Sequence, residues 1–226
     1  MTLRGNVQHH QHYGNVRVAN PTIEVVLLDD LKTHVRQLHT NDDDEYLLKL
    51  IIEAREEIED TSGLALISQT WQMTLDRWPG QRDQWWDGVR ELPITELDGG
   101  FPSIIEPIRY PLISVDTINV FDEDSNSTAV TIASTFDIDL ISRPGRISLQ
   151  RGATWPIASR SINSVEINYT AGYGTAISNI PTPLPRAVRN MAGYMYDHRG
   201  SGCTPSAAYK ESGAMEIVRR YRAARL

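Results

Sequence analysis

The period of the apolar residues changes twice along this chain of 226 residues, and that change restricts the fold more than any single motif. In residues 28–38, Leu28, Leu31, Val35 and Leu38 recur at helical spacing, which predicts a short amphipathic helix. Asp42, with Glu45 three positions on, has the character of a capping box opening a longer helix. The inward stripe of that helix is expected at Leu47, Leu48, Ile51, Ile52, the aliphatic stem of Arg55, and Ile58. Glu53, Glu56, Glu57 and Glu59 are expected to face outward until Gly63 stops the helix. From Ile67 the pattern alternates instead: Ile67, Trp71, Met73 and Leu75 interleave with Ser68, Thr70, Gln72 and Thr74, the signature of a half-buried strand. Further short strands are expected near residues 114–121, 136–141, 145–150 and 165–170. The clearest hairpin turn is Arg143-Pro144-Gly145-Arg146, in which Pro presets the first corner and Gly accepts a positive φ. A stiff linker, Ile180-Pro181-Thr182-Pro183-Leu184-Pro185, then returns the chain to helical spacing, with Val188, Met191, Ala192 and Met195 on one face. After Gly200-Ser201-Gly202 a last helix is expected near residues 214–224.

Helices, then strands, then helices imply an α+β fold. Neither the first two helices nor the last pair could bury its apolar stripe alone, so residues 23–63 and 183–226 are expected to form one helical domain. An antiparallel β domain, residues 64–182, is inserted between them. Residues 1–22 are polar and aperiodic, which predicts an extension that orders only against a partner.

Charge and cysteine usage exclude several classes. Against 22 Lys and Arg stand 29 Asp and Glu, a formal net charge of -7, and such a surface does not recruit DNA phosphates. The single cysteine, Cys203, cannot form an intramolecular disulfide, so stability must come from packing or assembly, as in a reducing cytoplasm. Apolar runs such as Val25 to Leu28 fall far short of the roughly 20 residues needed to cross a bilayer. A soluble, cytoplasmically made protein is therefore expected.

No motif provides a foothold for catalysis, a metal or a cofactor. Asp122-Glu123-Asp124-Ser125-Asn126 imitates the opening of a calcium loop, but Ser127 stands where a glycine is wanted and Ala133 where a bidentate glutamate should close the site. A solvated turn fits better. His9, His10 and His12 lie in the polar extension without the fixed geometry a metal requires, and Cys203 has no activating neighbour in sequence. Trp85 and Trp86 sit in a polar loop and must be buried, either against their own domain or against a neighbouring subunit or partner. Arg219, Arg220, Tyr221, Arg222 and Arg225 form a basic tail on an acidic chain. They suit a helix C-terminus, worth about 0.3–1 kcal/mol, or docking on an acidic partner surface through arginine forks.

Several segments in this order resemble the bacteriophage head-tail connector (adaptor) family of long-tailed phages and phage-like particles. They are the helix at Asp30–Leu38, the acidic step Asp42-Asp43-Asp44-Glu45, the helix end Glu57-Ile58-Glu59-Asp60-Thr61-Ser62-Gly63, and Leu66-Ile67-Ser68-Gln69-Thr70-Trp71. Pro111-Leu112-Ile113-Ser114-Val115-Asp116-Thr117-Ile118, Tyr169-Thr170-Ala171-Gly172-Tyr173-Gly174 and Pro183-Leu184-Pro185 complete the set, which spans most of residues 23–199. The N-terminal extension and the Trp85-Trp86 loop depart from the family pattern. The resemblance implies a non-enzymatic virion protein at the head-tail interface that forms a homo-oligomeric ring, commonly dodecameric. Its partners would be portal protein on one side and a tail-completion or stopper protein on the other, with DNA passing through the lumen. Asp42, Asp43 and Asp44 are then the candidate channel-facing acids, since an acidic lining lets a duplex slide. Two rivals stand beside this reading. One is a β-rich carbohydrate- or receptor-binding module using Trp85, Trp86 and Trp155, and the other a small hydrolase using Glu53 or Glu57.

Overall fold

The computed structural model describes residues 13–37, 40–79 and 104–223. In chain order the elements are β1 (Tyr13–Arg17), α1 (Leu28–Val35), α2 (Asp44–Ser62), β2 (Gln69–Leu75), β3 (Ile104–Ile105), β4 (Leu112–Phe121), β5 (Ser127–Ala129), α3 (Ile132–Thr135), β6 (Phe136–Asp139), β7 (Arg146–Leu149), β8 (Val165–Ala171), α4 (Pro183–Asp197), α5 (Pro205–Glu211) and α6 (Ala214–Val218). Short 3-10 turns follow β8 at Ile177–Asn179 and α6 at Arg219–Tyr221. Helices and antiparallel sheets together make the fold α+β.

Apolar side chains collect in two cores. One holds Leu31 of α1, Leu47, Ile51 and Ile58 of α2, Val188 and Met191 of α4, and Val218 of α6, so helices from distant parts of the sequence share one interior. The other holds Trp71, Met73 and Leu75 of β2, Ile167 and Tyr169 of β8, Ile118 of β4, Phe136 and Trp78. Strands β1-β2-β8-β4-β5 form one antiparallel sheet, and β3-β7-β6 a smaller one. Along β2 and β8 every second residue is buried, which is the alternation read from residues 67–75.

The structure corrects the sequence reading at several places. Residues 13–17 are not part of a featureless extension: they pair with β2 in register from Tyr13↔Leu75 to Arg17↔Trp71. On α2 the inward stripe is Leu47, Leu50, Ile51, Ala54, Arg55, Ile58 and Glu59, while Leu48 and Ile52 remain 42% and 39% exposed. The apolar residues of α2 cover more than one face, and packing against α4 selects one of them. The expected capping box does not form, because α2 starts at Asp44 and no side chain caps its first turn; the carboxylate of Asp43 is engaged by Tyr196 instead. Helix α5, capped by the Thr204 hydroxyl on the Ala207 N–H, lies between the Gly200-Ser201-Gly202 break and the last expected helix, where no element was read. The final helix stops at Val218 and tightens into the 3-10 turn.

Gly63 ends α2 as expected, at φ 79° and with its N–H on the carbonyl of Glu59. The 140–145 connection joins β6 to β7 as read, but Gly145 is not among the residues with positive φ. A Cβ there would lie 2.6 Å from Cβ of Leu112, so close approach to β4, not turn geometry, requires the glycine.

Asp139 fastens this hairpin. Its carboxylate accepts from the Ser142 hydroxyl at 2.6 Å, the Arg146 guanidinium at 2.6 Å, and the N–H groups of Ser142 and Ile141 at 3.1 and 2.9 Å. These donors, the Ser142 hydroxyl foremost, hold its carboxyl well below the usual carboxylate range. A carboxylate whose folded pKa is depressed contributes stability present above its unfolded pKa, about 3.9, and lost as pH falls further. Asp139→Asn is therefore expected to destabilise the hairpin at neutral pH, and its difference from the parent chain to shrink below about pH 4. Unfolding midpoints measured from pH 7 to pH 2 check this; a difference that stayed constant would remove the carboxylate's role.

Candidate assembly surfaces

A charged junction joins the helical core to the large sheet. The side chain of Glu59, 2% exposed, accepts from Nη1 of Arg55 at 2.9 Å, the N–H of Leu66 at 2.8 Å and Nε2 of Gln69 at 2.7 Å. Sequence reading had Glu59 outward. The signal that could have placed it is its position four residues after Arg55 and one residue after Ile58, on the buried face. Burial pushes the Glu59 carboxyl up, and Arg55 with the two N–H donors pulls against it. Burial also opposes the charge of Arg55, yet the carboxylates of Glu24 and Glu59 together hold its pKa above the ordinary value. Arg55 Nε reaches Glu24 at 2.8 Å, and Arg17 of β1 reaches Glu56, so both the first strand and the segment before α1 are fixed to α2. Arg109 donates to the carbonyl of Glu59 and to the carboxylate of Asp60. The guanidinium groups of Arg17 and Arg109 lie 5.7 and 4.6 Å from the ring centre of Trp71.

The chain's later residues close over the same end of α2. The Tyr110 hydroxyl donates to the carbonyl of Ser62 at 2.6 Å and accepts the N–H of Ala223 at 2.9 Å. Beside it opens a cleft of about 810 Å³, lined among others by Asp60, Glu106, Pro144 and Arg222. Arg219, Arg220 and Arg222 are exposed, and Tyr221 packs half-buried on the helical core. Three of the four tail arginines thus face outward from a segment that is itself anchored. Arg225, Trp85 and Trp86 lie outside the described residues, as do His9, His10 and His12.

The three acids before α2 separate. Asp42 is exposed. Asp43 accepts from the Tyr196 hydroxyl and lies 3.7 Å from Arg199, and Asp44 pairs with Nζ of Lys32 at 2.7 Å. Two of them therefore tie the start of α2 to α1 and to the end of α4. Trp155, an exposed candidate in the binding-module reading, stacks on Trp78 with ring centres 4.7 Å apart and packs on the sheet core. Asp122 accepts from the N–H and the side-chain amide of Asn126, an ordinary turn between β4 and β5. Among the described residues no group of three or more His, Cys, Asp or Glu could hold a metal, and no helix is long and apolar enough to cross a membrane.

No family model matches the sequence, and no curated protein matches it. Solved structures do. A chain in the neck of an empty gene transfer agent particle, computed with C6 symmetry, is 23% identical and superposes with a TM-score of 0.69 over 94% of this chain and 97% of that one. The fold is the one this neck chain has. Two further matches, each 22% identical over 94% of this chain, agree. One is in the virion of a native gene transfer agent particle, at a TM-score of 0.67, and the other in the neck of a native particle computed with C12 symmetry, at 0.64. These particles are phage-like, which agrees with the head-tail connector resemblance of the sequence.

Proposed function

We propose that this chain is a structural, non-enzymatic head-tail connector: a subunit of a ring between portal and tail through which DNA passes. The observation that carries the reading is the match over nearly the whole of both chains to proteins of a particle neck. Cyclic symmetry in those necks fits a homo-oligomeric ring, dodecameric where the symmetry is twelvefold. Portal protein is the partner on one face and a tail-completion protein on the other, and the finished protein resides in the virion. The inserted β domain and the helical domain from both ends are the two units of the subunit. Net acidity suits a lumen that must not grip phosphates, with the exposed Asp42 the acid freest to face it. The outward arginines Arg219, Arg220 and Arg222 supply a basic surface for an acidic portal.

Electron microscopy of this protein co-expressed with portal from the same genome tests the proposal. The expected result is a ring of density stacked on portal; clean separation of the two proteins would overturn it. Deleting residues 214–226 is expected to abolish portal binding, and unchanged binding would remove the arginine tail from the interface.

A further inference from the structure

Helix α2 carries two apolar residues that the described part of the chain covers only in part. Leu48 and Ile52, one turn apart, are both substantially exposed. Glu45 and Glu56 lie three and four residues from this pair on the same side of the helix, and Lys49 and Glu53 lie farther round it. Glu45 is paired with Lys49 and Glu56 with Arg17, whereas exposed Glu53 has no partner among the described residues. Two part-exposed apolar residues beside one unpaired carboxylate offer a patch for a complementary surface.

The complement exists elsewhere on the same chain. Where the Ile177–Asn179 turn enters α4, a groove of about 370 Å³ is lined by Ile177, Ile180, Pro183, Pro185, Arg186 and Arg189. Among the described residues neither arginine has an ion pair, and Nε of Arg189 is shut away from solvent without an acceptor. A buried donor in that state is costly until a carboxylate or carbonyl arrives. Helices α2 and α4 run antiparallel, since Asp43 at the start of α2 meets Tyr196 at the end of α4. The Leu48–Ile52–Glu53 patch on the first half of α2 and the basic groove at the start of α4 therefore lie toward opposite ends of the helical layer.

We infer that the Leu48–Ile52–Glu53 face of one copy docks into the Pro183–Arg186–Arg189 groove of the next. A cyclic ring needs two different, mutually complementary patches on every subunit, and these two are opposite in charge and alike in carrying apolar centres. The inference rests on the ring reading above and assigns its subunit-to-subunit contact.

Disulfide trapping of the full-length chain tests it. With Cys203→Ser as background, Leu48→Cys combined with Pro183→Cys is expected to give, on oxidation, a ladder of covalent multimers beyond the dimer, while either cysteine alone stops at dimers. Adding Glu53→Arg, or Arg186→Glu with Arg189→Glu, is expected to cut the ladder at least about tenfold, and combining the three reversals to restore it. All sites are on the surface or in the groove, and circular dichroism confirms that each variant is folded. A ladder that stops at dimers, or one indifferent to the charge reversals, overturns the contact. If portal-bound rings still appear by electron microscopy in that case, the contact is wrong and the ring reading stands; if they are absent too, both fall.

Discussion

Glu59→Ala is expected to lower the stability of the folded chain by about 3–5 kcal/mol, read from chemical denaturation. The loss comes from the partners left behind more than from the attraction removed. Without this carboxylate the N–H of Leu66 and the amide of Gln69 lose their acceptor, and Arg55, 2% exposed, retains Glu24 and the more distant Glu56. The companion expectation separates these two causes. Changing Arg55→Met and Glu59→Leu together still leaves the Leu66 N–H and the Gln69 amide unpaired but removes both buried charges, and should cost less than Glu59→Ala alone. If the double variant were as unstable as the single, the stranded charge of Arg55 would not be what destabilises Glu59→Ala, and this part of the account would fail.

Trp78→Ala carries the second large effect, again about 3–5 kcal/mol. Trp78 is fully buried, stacks on Trp155, lies 5.6 Å from Phe136 between ring centres, and donates its indole N–H to the carbonyl of Pro156 at 2.8 Å. Its removal opens a cavity that the stacked ring cannot fill without leaving its own contacts. Hydrogen exchange shows where the loss falls. Protection should drop in β2, β4 and β8, whose inward residues share the core of Trp78, before it drops in α2 and α4, which are assigned to the other core. Equal loss in both would mean that the two cores open as one unit.

The fold was legible where a local pattern and its tertiary use coincide. The alternation from Ile67 to Leu75 is buried as written, and Val188, Met191, Ala192 and Met195 of α4 all face the helical core. Gly63 stops its helix because the left-handed position beyond a helix end is a local requirement. Where the reading failed, the deciding partner is distant in sequence. Glu59 is inward because Gln69, Leu66 and Arg55 supply its donors, and Leu48 is outward because α4, over a hundred residues later, covers a neighbouring stripe. The strand at Tyr13–Arg17 has little alternation of its own and exists through pairing with β2. Of the candidate site residues, Asp43 and Asp44 look from sequence like free acids, and their links to Tyr196 and Lys32 cross between helices that no local pattern connects. The candidate assembly surfaces were legible in composition, as an arginine-rich tail on an acidic chain, but the groove beside Arg189 requires the turn after β8 to be folded back on α4.

The shared helical core also sets an order for biosynthesis. Helices α1 and α2 leave the ribosome about 120 residues before α4, which supplies Leu184, Val188 and Met191 to cover them. The large sheet needs only residues up to 171, so it can close on the growing chain while α2 still displays an uncovered inner stripe. Nascent chains halted before residue 183 would therefore present that stripe to chaperones, and the helical core can close only after translation has passed α4.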